Sequence, residues 1–488
     1  MKRELRWYDH LAINSYWLGI NIASGTITPI LLPFLVVLYM PPEQKNTYLA
    51  TIRVVGLAVA MLVQPIAGML SDRSTSRYGR RRPYIVAGAL LNAVFLLLIG
   101  ASTLFDRTDP VIFGVTAAYA VLLAGIVLLQ VSSNIGHGAL QGLIPDVVPE
   151  NQRGRSSGIK SVLELLPVFL VVFIGPLVDR GQIWLVVGII ITGFLATMLT
   201  TVLFVKEEPQ TEKPAGSLTE PMLRIVALTV IFVAITRIAL RLVDFTGSTL
   251  LERGASDATL IALVGIAGLV GMAGSIFLGV YFGARVGIGA EAPHQSSFIW
   301  WVVNRLMFLA AVGSIQGFAQ YFLRDVLQVP NPATMTTILL AVVALFLLPS
   351  AIFGGILADK FGRKRLVALA GLIGAAGTGL LLVSRTFPLV IVSGSIIGLG
   401  AGTFMATNWA LGTDLVPPKE AGKYLGISNL AGAGAGIVGA GIGGPMADYF
   451  NLINPGLGYI VIFAIYGMLM LLSVVTLTQV RAPHFETA

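Results

Sequence analysis

A strongly basic turn lies between two long apolar segments, and a shorter copy of it returns in the second half of the chain. The first copy follows Gly68 and contains the charged or turn residues Asp72, Arg73, Arg77, Gly79, Arg80, Arg81 and Arg82. The second follows Gly355 and contains Asp359, Gly362, Arg363, Lys364 and Arg365. Two copies of one charged turn between membrane-length segments predict a duplicated helical membrane protein, because duplicated bundles can present one site to either side of a bilayer.

Composition indicates a membrane protein. Charged residues make up 11% of 488 residues and apolar residues 56%, with a mean hydropathy of +0.84, whereas a soluble domain has about 25% charged residues. The net charge of +8 is explained by the positive-inside rule and by anionic lipid, without nucleic acid. The absence of cysteine excludes disulfides, thiolate metal sites and cysteine nucleophiles. The sequence shows no phosphate loop or Ser–His–Asp pattern, so no metal ion or cofactor is expected.

Fourteen apolar runs of helical membrane-spanning length are expected. Alternate loops are basic and fall on one side, which makes that side and both termini cytoplasmic. The N-terminal run is too long for a signal peptide and is interpreted as an uncleaved first span. The predicted spans cover residues 11–39, 48–70, 84–104, 111–143, 157–178, 183–204, 222–244, 258–283, 297–322, 335–357, 366–384, 387–411, 421–447 and 457–480.

The chain is an imperfect duplication. Asp146-Val-Val-Pro149 returns as Asp414-Leu-Val-Pro417, an offset of 268 residues, and the charged turns are 287 residues apart. Six spans need only about 200 residues at roughly 20 residues each, so two extra helices are predicted between the halves. The predicted parts are a six-helix bundle at 1–205, a linker at 206–221, two added spans at 222–290 and a second six-helix bundle at 291–488.

The added segment allows a second interpretation. Its three arginines, Arg224, Arg237 and Arg241, are costly in lipid. The segment 222–283 could therefore be partly re-entrant or interfacial, which would leave twelve spans.

The two turns resemble the loop signature of the major facilitator superfamily. The longer first copy, with Val63-Gln64-Pro65 ahead of it, is similar to the sucrose–proton symporters and to the wider glycoside–pentoside–hexuronide symporters. The resemblance implies two pseudo-symmetric six-helix bundles that rock around a central cavity, with twelve spans in the sucrose symporters. It also implies that Asp72 and the basic residues of the turns form a cytoplasmic gate between the bundles. The simpler alternative is that the arginines only fix topology.

The chain departs from this family at three positions. The similar symporters have an acid near Gln130 and an arginine near Gln141, and sodium-coupled relatives have an aspartate where Gln64 stands. A glutamine cannot titrate. Proton coupling through the family's acid is therefore not expected, and sodium coupling at Gln64 is doubtful.

Polar residues recur on single faces of three predicted spans. Because polarity inside a membrane is costly, we interpret them as lining a path for a hydroxyl-rich solute, with hydrogen bonding between helices as the alternative. The faces comprise Asn14, Asn21, Ser24 and Thr28 in the first span, Gln130, Asn134, His137 and Gln141 in the fourth, and Arg305, Gln316 and Gln320 in the ninth. Gln64 and Asn408 complete the predicted substrate-binding set. Trp17 and Trp409 are the two tryptophans within spans that could stack on a sugar.

Glu164 is the only acid deep in a span of the first half. A carboxyl group in a low-dielectric site can load and release a proton near neutral pH. Glu164 is therefore the predicted proton carrier, with Lys160, Arg53 and His137 as the accompanying groups. The alternative for Glu164 is a static ion pair with Lys160, four residues earlier, and for His137 it is a neutral hydrogen-bonded core group.

The sequence therefore predicts a monomeric, multi-pass carrier of the cell membrane that imports a sugar or glycoside with a proton. One alternative is a drug or lipid exporter, whose cavity would be more apolar and contain additional acids. A membrane sensor or membrane-embedded enzyme is the other, and the duplicated gate and the lack of a catalytic cluster argue against it.

Overall fold

Long helices make up almost the whole of the computed structural model. It describes residues 4–105, 111–112, 114–207, 209–210, 217–289, 292–416 and 421–481. Parts of the predicted linker 206–221 and of the predicted basic loop 419–423 lie outside the described residues.

Seventeen α-helices and one short hairpin follow one another along the described chain. The helices are α1 Trp7–Thr26, α2 Leu32–Tyr39, α3 Lys45–Asp72, α4 Arg82–Ala101, α5 Ala117–Gln141, α6 Leu143–Val147, α7 Arg153–Leu170, α8 Gly175–Asp179, α9 Ile183–Phe204, α10 Thr219–Glu252, α11 Asp257–Ile288, α12 Ser296–Asp325, α13 Pro332–Phe361, α14 Arg363–Val383, α15 Phe387–Asp414, α16 Ala421–Ile453 and α17 Leu457–Thr476. The hairpin pairs β1 Val111–Ile112 antiparallel with β2 Val115–Thr116.

The first span is built from α1 and α2 joined by a π-helical turn, Ile27–Leu31. Pro29 and Pro33 each remove one backbone donor from this stretch, and a local change of helix type accommodates the missing bonds. The fifth span is also interrupted, by a 3₁₀ turn at Val171–Phe173 between α7 and α8. Both spans therefore keep membrane length without being uniform α-helices.

The membrane prediction is confirmed. Thirteen helical segments of the described chain are long and apolar enough to cross a bilayer, and α16 lies at the position of the remaining predicted span. The added segment forms two uninterrupted helices of 34 and 32 residues, α10 and α11. Both helices meet the length and hydropathy of a full span, which favours two full spans over the re-entrant alternative.

The residues form two compact units. Unit 1 comprises 1–42, 55–225 and 333–337, and unit 2 comprises 43–54, 226–332 and 338–488. Nearly all of α10 and the whole of α11 belong to unit 2. Within it, Gly279 of α11 lies against the Phe232 ring and Gly271 against Ala239 and Val243 of α10, so small residues allow the two added helices to pack closely.

In each unit an aspartate distant in sequence caps the start of a helix. In unit 1, Asp179 accepts the backbone N–H groups of Ala333 and Thr334 at 3.0 and 2.8 Å. In unit 2, Asp448 accepts those of Asn46 and Thr47 at 3.1 and 2.7 Å. The first N–H groups of a helix lack partners in their own helix, and an acid there is also favoured by the helix dipole.

Both caps end the same short sequence pattern. Asp179 closes Gly-Pro-Leu-Val-Asp and Asp448 closes Gly-Pro-Met-Ala-Asp, 269 residues apart. This spacing agrees with the 268 residues between Asp146 and Asp414. The pattern is therefore a further part of the duplication.

Removing the Asp448 cap is expected to destabilise unit 2. Asp448 is 6% exposed, so Asp448→Ala leaves buried backbone donors unpaired, at a cost of about 1–3 kcal/mol. Chemical unfolding of the purified protein measures the loss. Asp257, an exposed first-turn acid of α11, is the control, and Asp257→Ala should cost less than about 1 kcal/mol. Equal losses in the two variants would contradict the capping role.

Candidate functional site

Helix α5 presents two accessible faces of opposite character. Its apolar face includes Ala124, Leu128 and Ile135 and suits contact with lipid. A separate face is polar and contains Gln130, Ser133, His137 and Gln141, all at least partly accessible. Because amides and an imidazole are costly in acyl chains, this second face is suited to a wet interior.

Three of the four polar residues predicted on the first span are accessible, and one is not. Asn21, Ser24 and Thr28 are spaced by three and four residues and lie on one accessible stripe. Asn14 is fully buried and donates to the Ser156 hydroxyl at 3.0 Å. Asn14 therefore links α1 to α7, the structural role that was the alternative, whereas the other three line accessible space.

A cation–aromatic cluster in unit 1 surrounds Trp17. The Lys160 ammonium lies 4.0 Å from the Trp17 ring centroid, and the His137 ring meets Trp17 edge to face at 5.0 Å. Lys160 also pairs with Glu164 at 3.1 Å, and both side chains are 30% exposed. The indole N–H of Trp17 finds no acceptor among the described residues. Glu164 is thus both ion-paired and accessible, so an incoming proton can reach it.

Helix α12 of unit 2 is buried on every side except one narrow stripe. Between Trp301 and Leu323 the residues that are not buried are Arg305, Leu309, Val312, Gly313 and Gln316, spaced as one face of a helix. A lipid-facing stripe would be broad and apolar. This one has a guanidinium near one end and an amide at the other, so it is suited to contact with water or a polar solute.

Arg305 lies between two indole rings. Its guanidinium carbon is 5.9 Å from the Trp301 ring centroid and 5.0 Å from that of Trp409. It donates to the Asn408 side-chain oxygen at 3.4 Å, and its Nε has no partner among the described residues. Asn408 donates in turn to Asn304 at 2.7 Å. Unit 2 therefore holds a cation with spare donors beside a partly accessible tryptophan.

The remaining candidates divide between accessible and buried positions. Gln64 and Gln130 are partly accessible within unit 1, and the Gln130 side chain lies against Gly56 and receives the Asn134 amide at 3.3 Å. Gln320 is 3% exposed. Its spacing places it on the same face of α12 as Gln316, but its side chain is buried and does not join the accessible stripe.

Arg53 lies in unit 2, whereas the other three predicted proton-coupling residues lie in unit 1. In the described part of the chain its guanidinium donates to the Gly313 carbonyl at 3.0 Å and lies 5.9 Å from the Phe318 ring centroid, both on α12. Within unit 1, Lys160 and His137 contact Trp17, and Glu164 pairs with Lys160.

The first charged turn is a network centred on Arg81. Arg81 pairs with Asp72 and Asp146, and its Nη1 donates to Ser71 at 2.6 Å. Arg80 binds both oxygens of Asp146. The Arg81 side chain is 6% exposed and Asp146 13%, whereas Asp72 is 50% exposed. Asp146, rather than Asp72, is therefore the buried counter-ion.

The linker side of this turn is also held by an acid. Glu207 accepts the backbone N–H of Arg81 at 2.9 Å and that of Arg82 at 3.2 Å. Gly79 adopts a φ of 98°, and an added Cβ there would meet the Glu207 side chain. Arg82 donates to the Val202 carbonyl, and Arg77 donates to Tyr78 and is outside the network. All these contacts lie within unit 1, so the gate between the bundles stays a prediction.

The second turn repeats the pairing in reduced form. Arg363 binds Asp414 at 2.5 Å and lies 3.6 Å from Asp359, whose side chain is exposed. Lys364 donates to the Val480 carbonyl at 2.7 Å, and Gly362 has a φ of 91°. Arg365 is exposed. The Asp146 and Asp414 partners were visible in the sequence as a repeat, but nothing there showed that each would bind the arginines of its own turn.

Comparisons with known proteins agree with this architecture. A family model described as Major Facilitator Superfamily matches residues 18–323 and 303–487. Among curated proteins, the General alpha-glucoside permease of Schizosaccharomyces pombe is 31% identical over 175 residues, which are 33% of this chain and 31% of that protein. Sucrose transport protein SUC4 of Arabidopsis thaliana is 29% identical over 148 residues, 29% of this chain and 28% of that protein. The chain thus spans about 30% of the length of these relatives.

Solved structures share the fold over nearly the whole chain. A D-xylose-proton symporter has a TM-score of 0.64 at 13% identity, covering 97% of both chains. A POT family transporter in complex with a thioalcohol conjugated peptide has a TM-score of 0.64 at 14% identity, covering 96% of this chain and 94% of that one. At these identities the likeness establishes the architecture alone.

Proposed function

Because the chain belongs to the major facilitator superfamily, we propose that it transports a sugar or glycoside across the cell membrane by alternating access. Proton coupling and cytoplasmic termini are parts of the same proposal. The activity is transport and not catalysis. Arg305, Gln316, Gln130 and the Trp17 cluster are the groups proposed to meet the solute or the proton.

The observation that supports this most is the narrow polar stripe of α12. A helix enclosed by protein on its other sides has no reason to keep Arg305 and Gln316 accessible unless they meet water or a solute. Small-molecule sites are lined mostly by apolar walls with a few placed polar groups, and this stripe alternates in that way with Leu309 and Val312 between its polar ends.

The chemistry of the accessible groups fits a solute rich in hydroxyls. Amides offer both donors and acceptors, and Arg305 adds donors without a counter-ion. Trp409 is partly accessible and combines a large apolar face with a neighbouring cation, an arrangement that can pack against a sugar ring while hydrogen-bonding its edge. Trp17 is only 4% exposed and is not proposed to stack on the sugar. Relatives named as an alpha-glucoside permease and a sucrose transport protein support the same class.

The exporter alternative receives less support. It calls for a largely apolar cavity with several acids, whereas the accessible stripes of α1, α5 and α12 contain amides, hydroxyls, an imidazole and one guanidinium. Glu164 is the only acid among the proposed groups. The sugar proposal therefore accounts for more of the observed side chains.

A binding screen tests the solute class directly. A ligand that binds the folded state raises its apparent stability, so thermal unfolding is measured against sugars, glycosides and cationic drugs at two pH values. Stabilisation by a sugar or glycoside supports the proposal. Stabilisation by cationic drugs alone contradicts it.

Gln316→Ala is expected to weaken binding of the ligand so identified by about three- to tenfold, the loss of one hydrogen bond. The reason is that Gln316 is on the accessible α12 stripe. Binding is measured by calorimetry on purified protein with an unchanged unfolding temperature. Gln182→Ala, an exposed glutamine before α9, is the matched control and should bind normally. Unchanged affinity in Gln316→Ala would remove the stripe from the site.

A further inference from the structure

Helix α10 has charged side chains on the face that points away from its own unit. Arg237, Arg241 and Asp244 are all exposed, and their spacings of four and three residues place them on one side of the helix. The opposite side, with Phe232, Ala239 and Val243, is buried against unit 2. The charges therefore form a stripe on an outer surface.

This stripe lies within the membrane-spanning part of the helix. Thr236 and Val54 both lie against Gly441 of α16. At 1.5 Å per residue, Val54 lies about 13 Å from the start of α3, so Thr236 lies at about that depth in the membrane. Gly247 lies against Tyr449, next to the aspartate that caps the start of α3. Arg241 and Asp244 are between these two levels, deeper than the first turn of α3.

The charges are not neutralised inside the described part of the chain. No hydrogen bond or ion pair of Arg237, Arg241 or Asp244 occurs among the described residues, although Arg241 and Asp244 are only three positions apart. Arg237 lines a cavity of about 50 Å³ together with Thr47 and Thr51, which has room for little more than water. Arg241 and Asp244 have no such enclosure and require a partner from outside the chain.

We propose that this stripe is the contact surface of a homodimer, in which Arg241 of one copy pairs with the partner's Asp244 and the reverse. Two-fold contacts are self-complementary, and the stripe contains one charge of each sign. A two-fold axis along the membrane normal keeps every residue at its own depth, so each arginine must reach only three residues, about 4.5 Å, along the facing helix. Ile238, Leu242 and Phe245, at 68%, 54% and 68% exposure, supply apolar area around the pairs.

An anionic lipid explains the stripe less well. A lipid phosphate would neutralise Arg241 but would repel Asp244, which faces the same side. A second copy neutralises both, and it replaces the expectation of a monomer. The inference does not depend on which solute the protein moves.

The lack of cysteine in the natural chain makes the test simple. A single Leu242→Cys change introduces a thiol beside the stripe, and any cross-link must join two copies. In native membranes, oxidation or a short bismaleimide should give a covalent dimer. Leu97→Cys on α4, exposed at 48% and in unit 1, is the control and should give none.

Charge exchange distinguishes pairing from mere proximity. In the Leu242→Cys background, Asp244→Arg and Arg241→Asp should each reduce cross-linking to the level of the Leu97→Cys control. The double exchange Arg241→Asp with Asp244→Arg should restore it. Failure of the double exchange in a folded, monodisperse protein overturns the proposal. So does a protein that never cross-links at 242 but loses bound anionic lipid on Arg241→Ala, which would assign the stripe to lipid.

Discussion

Replacing Asp146 with alanine is expected to cost about 1.5–3 kcal/mol of unfolding free energy, because it removes charged hydrogen bonds of Arg80 and Arg81 and leaves the buried Arg81 with only the half-exposed Asp72 as counter-ion. Arg81 is 6% exposed and pairs with Asp146 at 2.8 Å, and Arg80 binds the same carboxylate. The measurement is the midpoint of chemical unfolding of purified Asp146→Ala. A variant that cannot be purified folded is tested as Asp146→Asn, which keeps the shape and should still be clearly destabilised.

The matched control is Asp72, the other acid that pairs with Arg81. Its side chain is 50% exposed, and exposed ion pairs contribute about 0–1 kcal/mol. Asp72→Ala should therefore unfold nearly as the natural protein does. If both variants lose the same stability, the buried-counter-ion account of Asp146 fails. This experiment does not test the gate proposed for Asp72. A gate residue changes the balance between conformations of the folded carrier, which is measured by the accessibility of introduced residues and not by unfolding.

Glu164→Gln is expected to abolish uptake driven by a pH gradient while leaving solute exchange intact. The amide cannot release a proton, whereas exchange requires only that the loaded carrier changes sides. Lys160 would lose its partner at 3.1 Å but would remain beside the Trp17 ring, so the cluster should stay folded. Reconstituted vesicles measure both rates with the ligand found in the binding screen.

Glu220→Gln is the matched control for this experiment. Glu220 pairs with Arg224 at 2.5 Å at the same four-residue spacing, but at an exposed helix start. Its loss should leave pH-driven uptake unchanged. Persistence of proton-driven uptake in Glu164→Gln would return Glu164 to the alternative interpretation, a static ion pair.

Much of the fold follows from local chemistry that a sequence displays. A run of about twenty apolar residues has few options in a bilayer other than a helix, so the spans and the two added helices could be predicted with small errors at their ends. The breaks within the first and fifth spans could not. Pro29 and Pro33 indicate a possible break in the helix, but Pro349 lies inside an uninterrupted helix. A proline by itself therefore does not predict where a span is broken.

Helical periodicity in the sequence predicts which polar residues share a face, but it does not predict which of them bind a neighbouring helix. The spacing of Gln130, Asn134, His137 and Gln141 predicted one face, and the structure keeps all of it accessible except Asn134, which is 5% exposed. Asn14, which binds a distant serine, and Gln320 are likewise buried although their spacing places them on the predicted faces. Whether a polar residue within a span meets water or a neighbouring helix depends on the packing of helices far apart in sequence.

The arginine partners illustrate the same limit. Asp146 and Asp414 were conspicuous as a repeat, yet only the three-dimensional arrangement shows that each binds the charged turn about fifty to sixty-six residues before it. The cluster around Trp17 could not be predicted either, because its partners Lys160 and His137 come from two other helices.

The two aspartate caps have a consequence for how this chain can be divided. A cut in the segment joining the halves would leave Asp179 on one fragment and the backbone donors of residues 333–334 on the other, and would separate Asp448 from residues 46–47 in the same way. Each piece would then expose an unmatched carboxylate and an unmatched helix beginning. Each half of the sequence thus supplies the carboxylate that completes the start of a helix in the other half.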